Sequence, residues 1–377
     1  MIIEIRINIM KSDLTIVGFG IIGAMIANTL SDYINDITII YKYNDKNSAS
    51  YHSFAWINAF DKSPHYYNKL NLDSMHLWHD LYKNNFVSDS EIKFGGDLRL
   101  YENFNKIDNL HKLINSENNH GIKFLEIHKA KNDENNLLLD NFNYAIESEY
   151  DGWVETDALI NKIKKRLLTK RNIKFINAEV KNAISKDNNV KYLELDDRQN
   201  TKISSEMFLF AAGFQTSKIA SMLGIYLPQI ISPGIVISSK PTNKVLNKYS
   251  SINLISENHI PHIHFRQNQD NQIICGIGSQ DDSQFINPKD FTLNLHAELS
   301  KYVKQKIEYS GYKYGLRVMP KDGLPIIGLC ENSNVYIVMT HSGVTLAPIL
   351  AQVIKSEIVD KQLVSEIDFY RMKRFYK

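Results

Sequence analysis

The chain has 377 residues and a mass of 43.5 kDa, enough for two domains or one large one with a substantial core, which excludes a small stapled scaffold. Hydrophobic residues make up 43% and charged residues 23%, with a formal charge of +2; this excludes global disorder and the strongly basic footprint of a dedicated nucleic-acid binder. The two cysteines, Cys275 and Cys330, form no CxxC and no spaced set, so no disulfide framework or cysteine-based zinc site is available and a reducing cytoplasm is the expected setting.

Met1 to Met10 carries charges among its apolar letters and no small-residue cleavage site, a poor signal peptide. Residues 1–9 are read as an extension or a translation-start artefact and given no function. Leu14-Thr-Ile-Val17 is an apolar run, Gly18 to Gly23 a turn, and Ala24 to Leu30 continues with helical spacing before a second β-branched run, Ile37-Thr-Ile-Ile40. A β-α-β crossover fits that order.

Further along, Thr156-Asp157 can cap a helix whose apolar positions Leu159, Ile160, Ile163, Leu167 and Leu168 recur at three and four residues, with lysines on its other face. Ile173 to Ile176 and Met207 to Phe210 read as further strands of a parallel sheet. Phe94 to Asn143 and Ile230 to about Ser310 instead alternate polar and apolar residues, as in His262 to Phe265 and Gln272 to Cys275, which predicts an antiparallel sheet. The end returns to the first style, with Val335 to Val338 as strand, a Thr340-His-Ser-Gly343 turn and an apolar helix from Val344 to Ile358.

Gly18-Phe-Gly20-Ile21-Ile22-Gly23 matches GxGxxG between a predicted strand and a predicted helix, the context in which the motif binds a dinucleotide. Its glycines allow a tight turn and close approach of a pyrophosphate, and the helix N-terminus offers N–H donors. The acid expected about 20 residues on, at the end of the second strand, is replaced by Tyr41. Asp45 reaching back, a bond from the Tyr41 hydroxyl, or no ribose contact at all remain open.

These features, taken with five further segments, resemble the FAD-dependent oxidoreductases of the D-amino-acid oxidase superfamily, in the branch of glycine oxidase and the small subunit of D-amino-acid dehydrogenase. The segments stand in the family's order: GFGIIG at 18–23, SASYHSFAWINA at 48–59, DGWVETDAL at 151–159, FAAG at 210–213, GLRVMPKDGLPIIG at 315–328 and THSGVTLAP at 340–348. The resemblance implies that Ser48-Ala49-Ser50 begins the loop under the flavin, that backbone near Val180 holds the adenine, and that Ala212 and Gly213 line the cofactor. It also implies that Gly343, Val344 and Thr345 set a helix N-terminus at the flavin's pyrimidine edge, where reduced flavin carries negative charge. Phe54-Ala55 departs from the glycines usual in the flavin loop.

By the same resemblance, Arg317 of the GLRV segment forms a bidentate pair with the substrate carboxylate, a geometry guanidinium suits better than ammonium; an ion pair is the competing reading. Arg317 also stands where the covalent-flavin branch has its cysteine, which implies non-covalent FAD. His341 is either beside the isoalloxazine ring or a capping histidine. His262 and His264 share a strand face without a spaced third ligand, so no metal is expected. Trp56, Trp78 and Trp153 read as core, with Trp56 the best candidate for a site residue.

The expected fold is α/β, a Rossmann-like FAD-binding domain (10–84, 146–222 and 311–377) and a mainly antiparallel substrate domain (85–145 and 223–310), both discontinuous. The expected reaction is oxidation of a small amino acid or secondary amine by hydride transfer to flavin N5, the imine then hydrolysing, with O2 or another acceptor taking the electrons. The alternatives are a flavin subunit of a heteromeric amino-acid dehydrogenase, inactive alone, or a tRNA wobble-uridine-modifying flavoenzyme, though no nucleic-acid partner is expected. A homo-oligomer, and contact of the basic and aromatic Phe369 to Lys377 tail with a membrane surface, stay open; a solvated tail is the plainer reading.

Overall fold

The structure, a computed structural model, describes residues 9–43, 47–60, 62–103, 121–256, 260, 262–278 and 288–376. In chain order its elements are β1 (Ile9–Val17), α1 (Ile21–Leu30), β2 (Ile37–Tyr41), β3 (Trp56–Ile57), α2 (His65–Lys83), β4 (Ile92–Phe94), β5 (Asp97–Tyr101), β6 (Ile122–Leu125), α3 (Ile127–Asp133), β7 (Tyr144–Ser148), β8 (Gly152–Val154), α4 (Thr156–Leu168), β9 (Ile173–Asn177), β10 (Val180–Lys186), β11 (Asn189–Leu195), β12 (Lys202–Phe210), α5 (Thr216–Ser221), β13 (Gln229–Ser239), β14 (Ser251–Ile255), β15 (His262–Gln267), β16 (Ile273–Ile277), α6 (Pro288–Ser300), β17 (Tyr309–Pro320), β18 (Ile326–Leu329), β19 (Val335–Met339) and α7 (Gly343–Ile358). None of the described helices is long and apolar enough to cross a membrane.

Two compact units form, each from separated segments: unit 1 from 1–48, 159–231 and 316–377, and unit 2 from 49–158 and 232–315. In unit 1 the parallel strands lie in the order β9-β2-β1-β12-β19, with β18 antiparallel to β19 and the β10–β11 hairpin joined to the start of β12. Numbered along the chain, those five strands run 3-2-1-4-5, the doubly wound order in which a crevice opens where the order reverses, here between β1 and β12. Both strands end in buried residues with no alternation, Thr15 to Val17 and Phe208 to Phe210, because helices or loops cover both faces of the sheet. The chain after α7 docks on the same unit. Ile367 and Tyr370 are buried, Arg371 donates to Glu357, and Arg374 pairs with Asp322 at 2.7 Å. This part of the tail is therefore packed, with Arg371 and Arg374 paired to acids of their own unit.

Unit 2 carries an eight-stranded sheet, β17-β13-β16-β15-β14-β5-β7-β6, antiparallel in its assigned registers except for the β5–β14 pair. One face packs Leu98, Leu100, Ile252, Leu254, Phe265 and Cys275 against Leu295 and Leu299 of α6. A second sheet, β3-β8-β4, joins Trp56 to Trp153 across two strands. The Trp153 indole donates to the Ser250 carbonyl at 2.9 Å, and both Trp78 and Trp153 are core, as their sequence suggests.

The unit boundaries fall differently from those expected. Residues 49–84 and 146–158 cluster with unit 2 because β3 and β8 pair with β4, and β7 lies between β5 and β6. Residues 223–231 go to unit 1, and 311–315 to unit 2. The first strand also begins at Ile9, paired with Lys202, earlier than the apolar run alone indicates; residues 1–8 lie outside the described residues.

Candidate functional site

The glycine turn of unit 1 sits at the point of strand reversal. Gly18 has φ +107°, and a Cβ on it would stand 2.3 Å from the Ala211 carbonyl oxygen. A Cβ on Gly23 would stand 2.1 Å from the Gly18 oxygen. Only glycine lets the turn, the FAAG segment and the start of α1 approach this closely. The backbone ties the three together, Gly18 N–H donating to Ile40 O and Ala211 N–H to Val17 O, each at 2.8 Å. Gly20 caps α1 without a side-chain bond, and the first turn holds no acid. The partial positive charge of this end thus faces the crevice unneutralised by a side chain.

A second helix end lies against the first. A Cβ on Gly343, which opens α7, would come within 3.0 Å of Ile22 Cδ1, so α1 and α7 are packed at their N-termini. Ser342 caps α7 without a side-chain bond, and no acid occupies its first turn, which includes Val344 and Thr345. Thr340, at the exit of β19, is buried, and its Oγ1 has no hydrogen-bond partner among the described residues. His341 is half-buried in the same turn. Two uncapped helix ends and a buried hydroxyl left for an outside partner suit an anionic, multiply accepting ligand such as a flavin dinucleotide, so the residues fit that group.

Tyr41 ends β2 opposite Asn177 of β9. Its ring meets Phe19, inside the glycine turn, edge-on at 6.2 Å between centroids, and Phe175 at 5.8 Å. Lys164 of α4 donates to the Tyr41 hydroxyl at 2.8 Å. Val180 is buried with Val17, Ile40, Phe210 and Ala212, near the ends of these strands. Gly213 takes the left-handed φ of +56° with nothing near its missing Cβ. Asp45, the alternative ribose partner, lies outside the described residues.

Arg317 of β17 is brought beside the start of the predicted flavin loop. Ser48 forms a parallel bridge with Leu316, whose N–H donates to Asn47 O at 2.9 Å. Burial pulls the Arg317 guanidinium below its ordinary pKa, which leaves it cationic and favours an incoming anion. Ala49 and Ser50 belong to unit 2, where Ala49 Cα would lie 3.4 Å from a Cβ on Gly315 and Ser50 O accepts from Thr156 Oγ1.

The model for FAD dependent oxidoreductases matches residues 13–356, most of the chain. The chain belongs to that family. The family is FAD dependent, and its members are enzymes. Among solved structures, the L-proline dehydrogenase of P. horikoshii covers 98% of this chain and 98% of its own, with a TM-score of 0.81 at 19% identity. Glycine oxidase of Geobacillus kaustophilus covers 97% and 99%, with a TM-score of 0.81 at 17% identity, and iminodiacetate oxidase of Chelativorans sp. BNC1 covers 95% and 98%, with a TM-score of 0.81 at 16% identity. These likenesses show a shared fold. A curated relative, an opine oxidase subunit of Agrobacterium tumefaciens (strain Ach5), is 25% identical over 178 residues, 46% of this chain and 45% of that protein. The match thus spans less than half of the relative's length.

Within this FAD dependent oxidoreductase family member, the segment expected to form the flavin loop holds one residue with positive φ. Ala55 takes φ 60°, the left-handed conformation glycine adopts without strain. Its carbonyl accepts from Val154 N–H at 3.0 Å. Phe54 is buried in unit 2, its ring 4.5 Å from His264 and 6.0 Å from Trp56, and its carbonyl accepts from Arg266 Nε at 3.0 Å.

Unit 2 also holds a polar network with no sequence signal. Asp97 is buried and accepts from Ser251 Oγ at 2.5 Å and Asn253 Nδ2 at 2.8 Å, with Arg99 Nε at 3.2 Å. Arg99 lies 4.9 Å from the Trp56 ring centre and 3.7 Å from that of Phe60. Asp151 accepts from Ser148 Oγ at 2.7 Å; burial and the Asp97 charge push its carboxyl up to about 7. His262 Nε2 meets Asn253 Oδ1 at 2.9 Å, so this histidine belongs to the network. Among the described residues no group of three or more His, Cys, Asp or Glu is placed to hold a metal ion. Cys275 and Cys330 are buried, and desolvation pushes the Cys330 thiol up to about 12. Inert packing is their role.

Proposed function

We propose that the chain oxidises a small amino acid or secondary amine that carries a carboxylate beside the reacting carbon, with FAD held non-covalently. The observation that carries this reading is the desolvated Arg317 guanidinium on β17, next to the Ser48 bridge, within a family-wide match. The names of the structural neighbours support the substrate class, since glycine, L-proline and iminodiacetate are all amines bearing a carboxylate one carbon away.

Bound FAD supplies the acceptor for a hydride from the carbon next to nitrogen, and the imine so formed hydrolyses in water. The protein's share is binding and orientation. Arg317 holds the substrate carboxylate through two parallel N–H bonds and so fixes which hydrogen is presented. The α1 N-terminus and Gly18 to Gly23 cradle the pyrophosphate, and the α7 N-terminus stabilises negative charge that builds up during reduction. Gly18, Gly20, Ile21, Ile22 and Gly23 act through backbone N–H groups, as do Gly343, Val344 and Thr345. His341, in the turn before α7, would meet the flavin's edge if the flavin binds as proposed.

The test is anaerobic bleaching of the yellow chain with glycine, sarcosine, L-proline, D-alanine and iminodiacetate. Bleaching by at least one supports the reading, and no bleaching by any overturns it for the single chain. A second reading, that of a flavin subunit which needs a partner, is favoured by the likeness to the opine oxidase subunit. A yellow chain that stays oxidised until a second polypeptide is added supports that alternative.

A further inference from the structure

The end of β2 is where a carboxylate ordinarily accepts from the adenosine ribose hydroxyls. Among the described residues an ammonium, that of Lys164, stands there. Tyr41 occupies the strand end directly after Ile40, the residue whose carbonyl accepts from Gly18 N–H, so its position relative to the glycine turn is set by the backbone. Its ring is fixed between Phe19 and Phe175. Lys164 Nζ lies 2.8 Å from its hydroxyl and 4.4 Å from its ring centre, with the rings of Tyr43 and Phe175 each at 5.7 Å. The neighbouring cation, Lys42, is engaged by Glu179, and Tyr43 N–H is held by Asn177 Oδ1 at 2.9 Å. Among the described residues Lys164 has no carboxylate partner, whereas Lys170, just beyond the end of α4, pairs with Asp32.

We propose that Lys164 and Tyr41 form the ribose-reading end of the dinucleotide site and that this end selects for acceptor oxygens, so that it takes an adenosine carrying a 2′-phosphate in preference to one with a bare 2′-hydroxyl. A carboxylate accepts two hydroxyl protons and repels a phosphate. Lys164 can only donate, and it meets a phosphate with opposite charge in a half-buried setting. Tyr41 has spent one lone pair on Lys164 and keeps its O–H to donate, so both groups present hydrogen to the ligand. The inference rests on the family's dependence on FAD only to place the adenosine half; FAD itself binds through its ribose oxygens as acceptors.

The test uses the full chain, freed of flavin by dialysis against bromide and shown to take FAD back. Competition for FAD uptake, read by flavin fluorescence, compares 5′-AMP with adenosine 2′,5′-bisphosphate, which differ only by the 2′-phosphate. Wild type should prefer the bisphosphate by about ten-fold, the size of one charge-assisted hydrogen bond. Lys164→Met should abolish that preference and Lys164→Glu should reverse it, each with an unchanged far-ultraviolet spectrum. Tyr41→Phe keeps the charge, so it should weaken FAD several-fold yet retain the preference. Equal binding of both nucleotides by wild type, or a preference untouched in Lys164→Met, overturns the proposal. FAD taken up normally alongside such a flat ratio would sink this inference alone, while a chain that takes up no FAD at all would sink the cofactor reading beneath it.

Discussion

Gly18 and Ala211 lie about half the chain apart in sequence, yet a single added carbon on Gly18 would lie 2.3 Å from the Ala211 carbonyl oxygen. The contact marks where β1 and β12 part and where the sheet's strand order turns round. Gly18→Ala therefore meets both a backbone wall and a φ of +107°. It is expected to cost at least about 3 kcal/mol and to abolish FAD retention. Gly213→Ala, at φ +56° with open space, should cost only about 1 kcal/mol. Thermal melts of the two variants side by side check the contrast, and equal shifts would contradict it.

Ala55 allows the opposite experiment. Ala55 bears left-handed strain at φ 60°, about 1 kcal/mol for a residue with a Cβ. Ala55→Gly removes that strain but adds freedom to the unfolded chain. The net expectation is a gain of about 0.5 kcal/mol, seen as a small rise in Tm. A fall would mean that the Ala55 methyl contributes packing worth more than the strain.

Asp151 should make unit 2 sensitive to pH. Its carboxyl is pushed up to about 7 by burial and by Asp97, so between the unfolded value and 7 the folded state holds a proton that the unfolded state has lost. This contribution is fully present below about 4 and is lost as pH rises through 7. Asp151→Asn keeps an acceptor for Ser148 and removes the titration. The wild type should therefore compare better with the variant at pH 5.5 than at pH 8.5, by up to a few kcal/mol. A difference independent of pH would show that Asp151 does not titrate in this range.

What the sequence reveals here follows the range of the contacts involved. The glycine turn, the strands around it and the α7 turn are local patterns, each readable from a few adjacent residues, and the structure assembles them at one crevice. Lys164 is visible only as one of several lysines on a helix face, since its meeting with Tyr41 closes a gap of 123 residues. The Asp97 and Asp151 network likewise arises from strand pairing between β5 and β14, far apart in the chain. The unit boundaries shift for the same reason. Residues 49–84 carry cofactor-like sequence at their start, but β3 pairs with β8, and that pairing assigns them to unit 2. The α2 helix of residues 65–83 also escapes a pattern reading, because Tyr67, Asn71 and Ser74 interrupt its buried apolar face.

Arg317 is the residue on which the proposed chemistry turns, and three substitutions separate its roles. Arg317→Leu should lower kcat/KM for the preferred amine by about 30- to 1,000-fold, the equivalent of about 2–4 kcal/mol for a lost charge-assisted pair. Arg317→Lys should recover part of this, because the charge returns without the planar fork that meets two carboxylate oxygens together. Arg317→Gln, polar and uncharged, should resemble leucine more than lysine. A carboxylate anchor makes a further demand. Acetate, which carries the carboxylate and no reactive amine, should compete with substrate in wild type and lose its hold in Arg317→Leu. Turnover within a few-fold of wild type, or acetate inhibition unchanged in Arg317→Leu, would remove Arg317 from the substrate site.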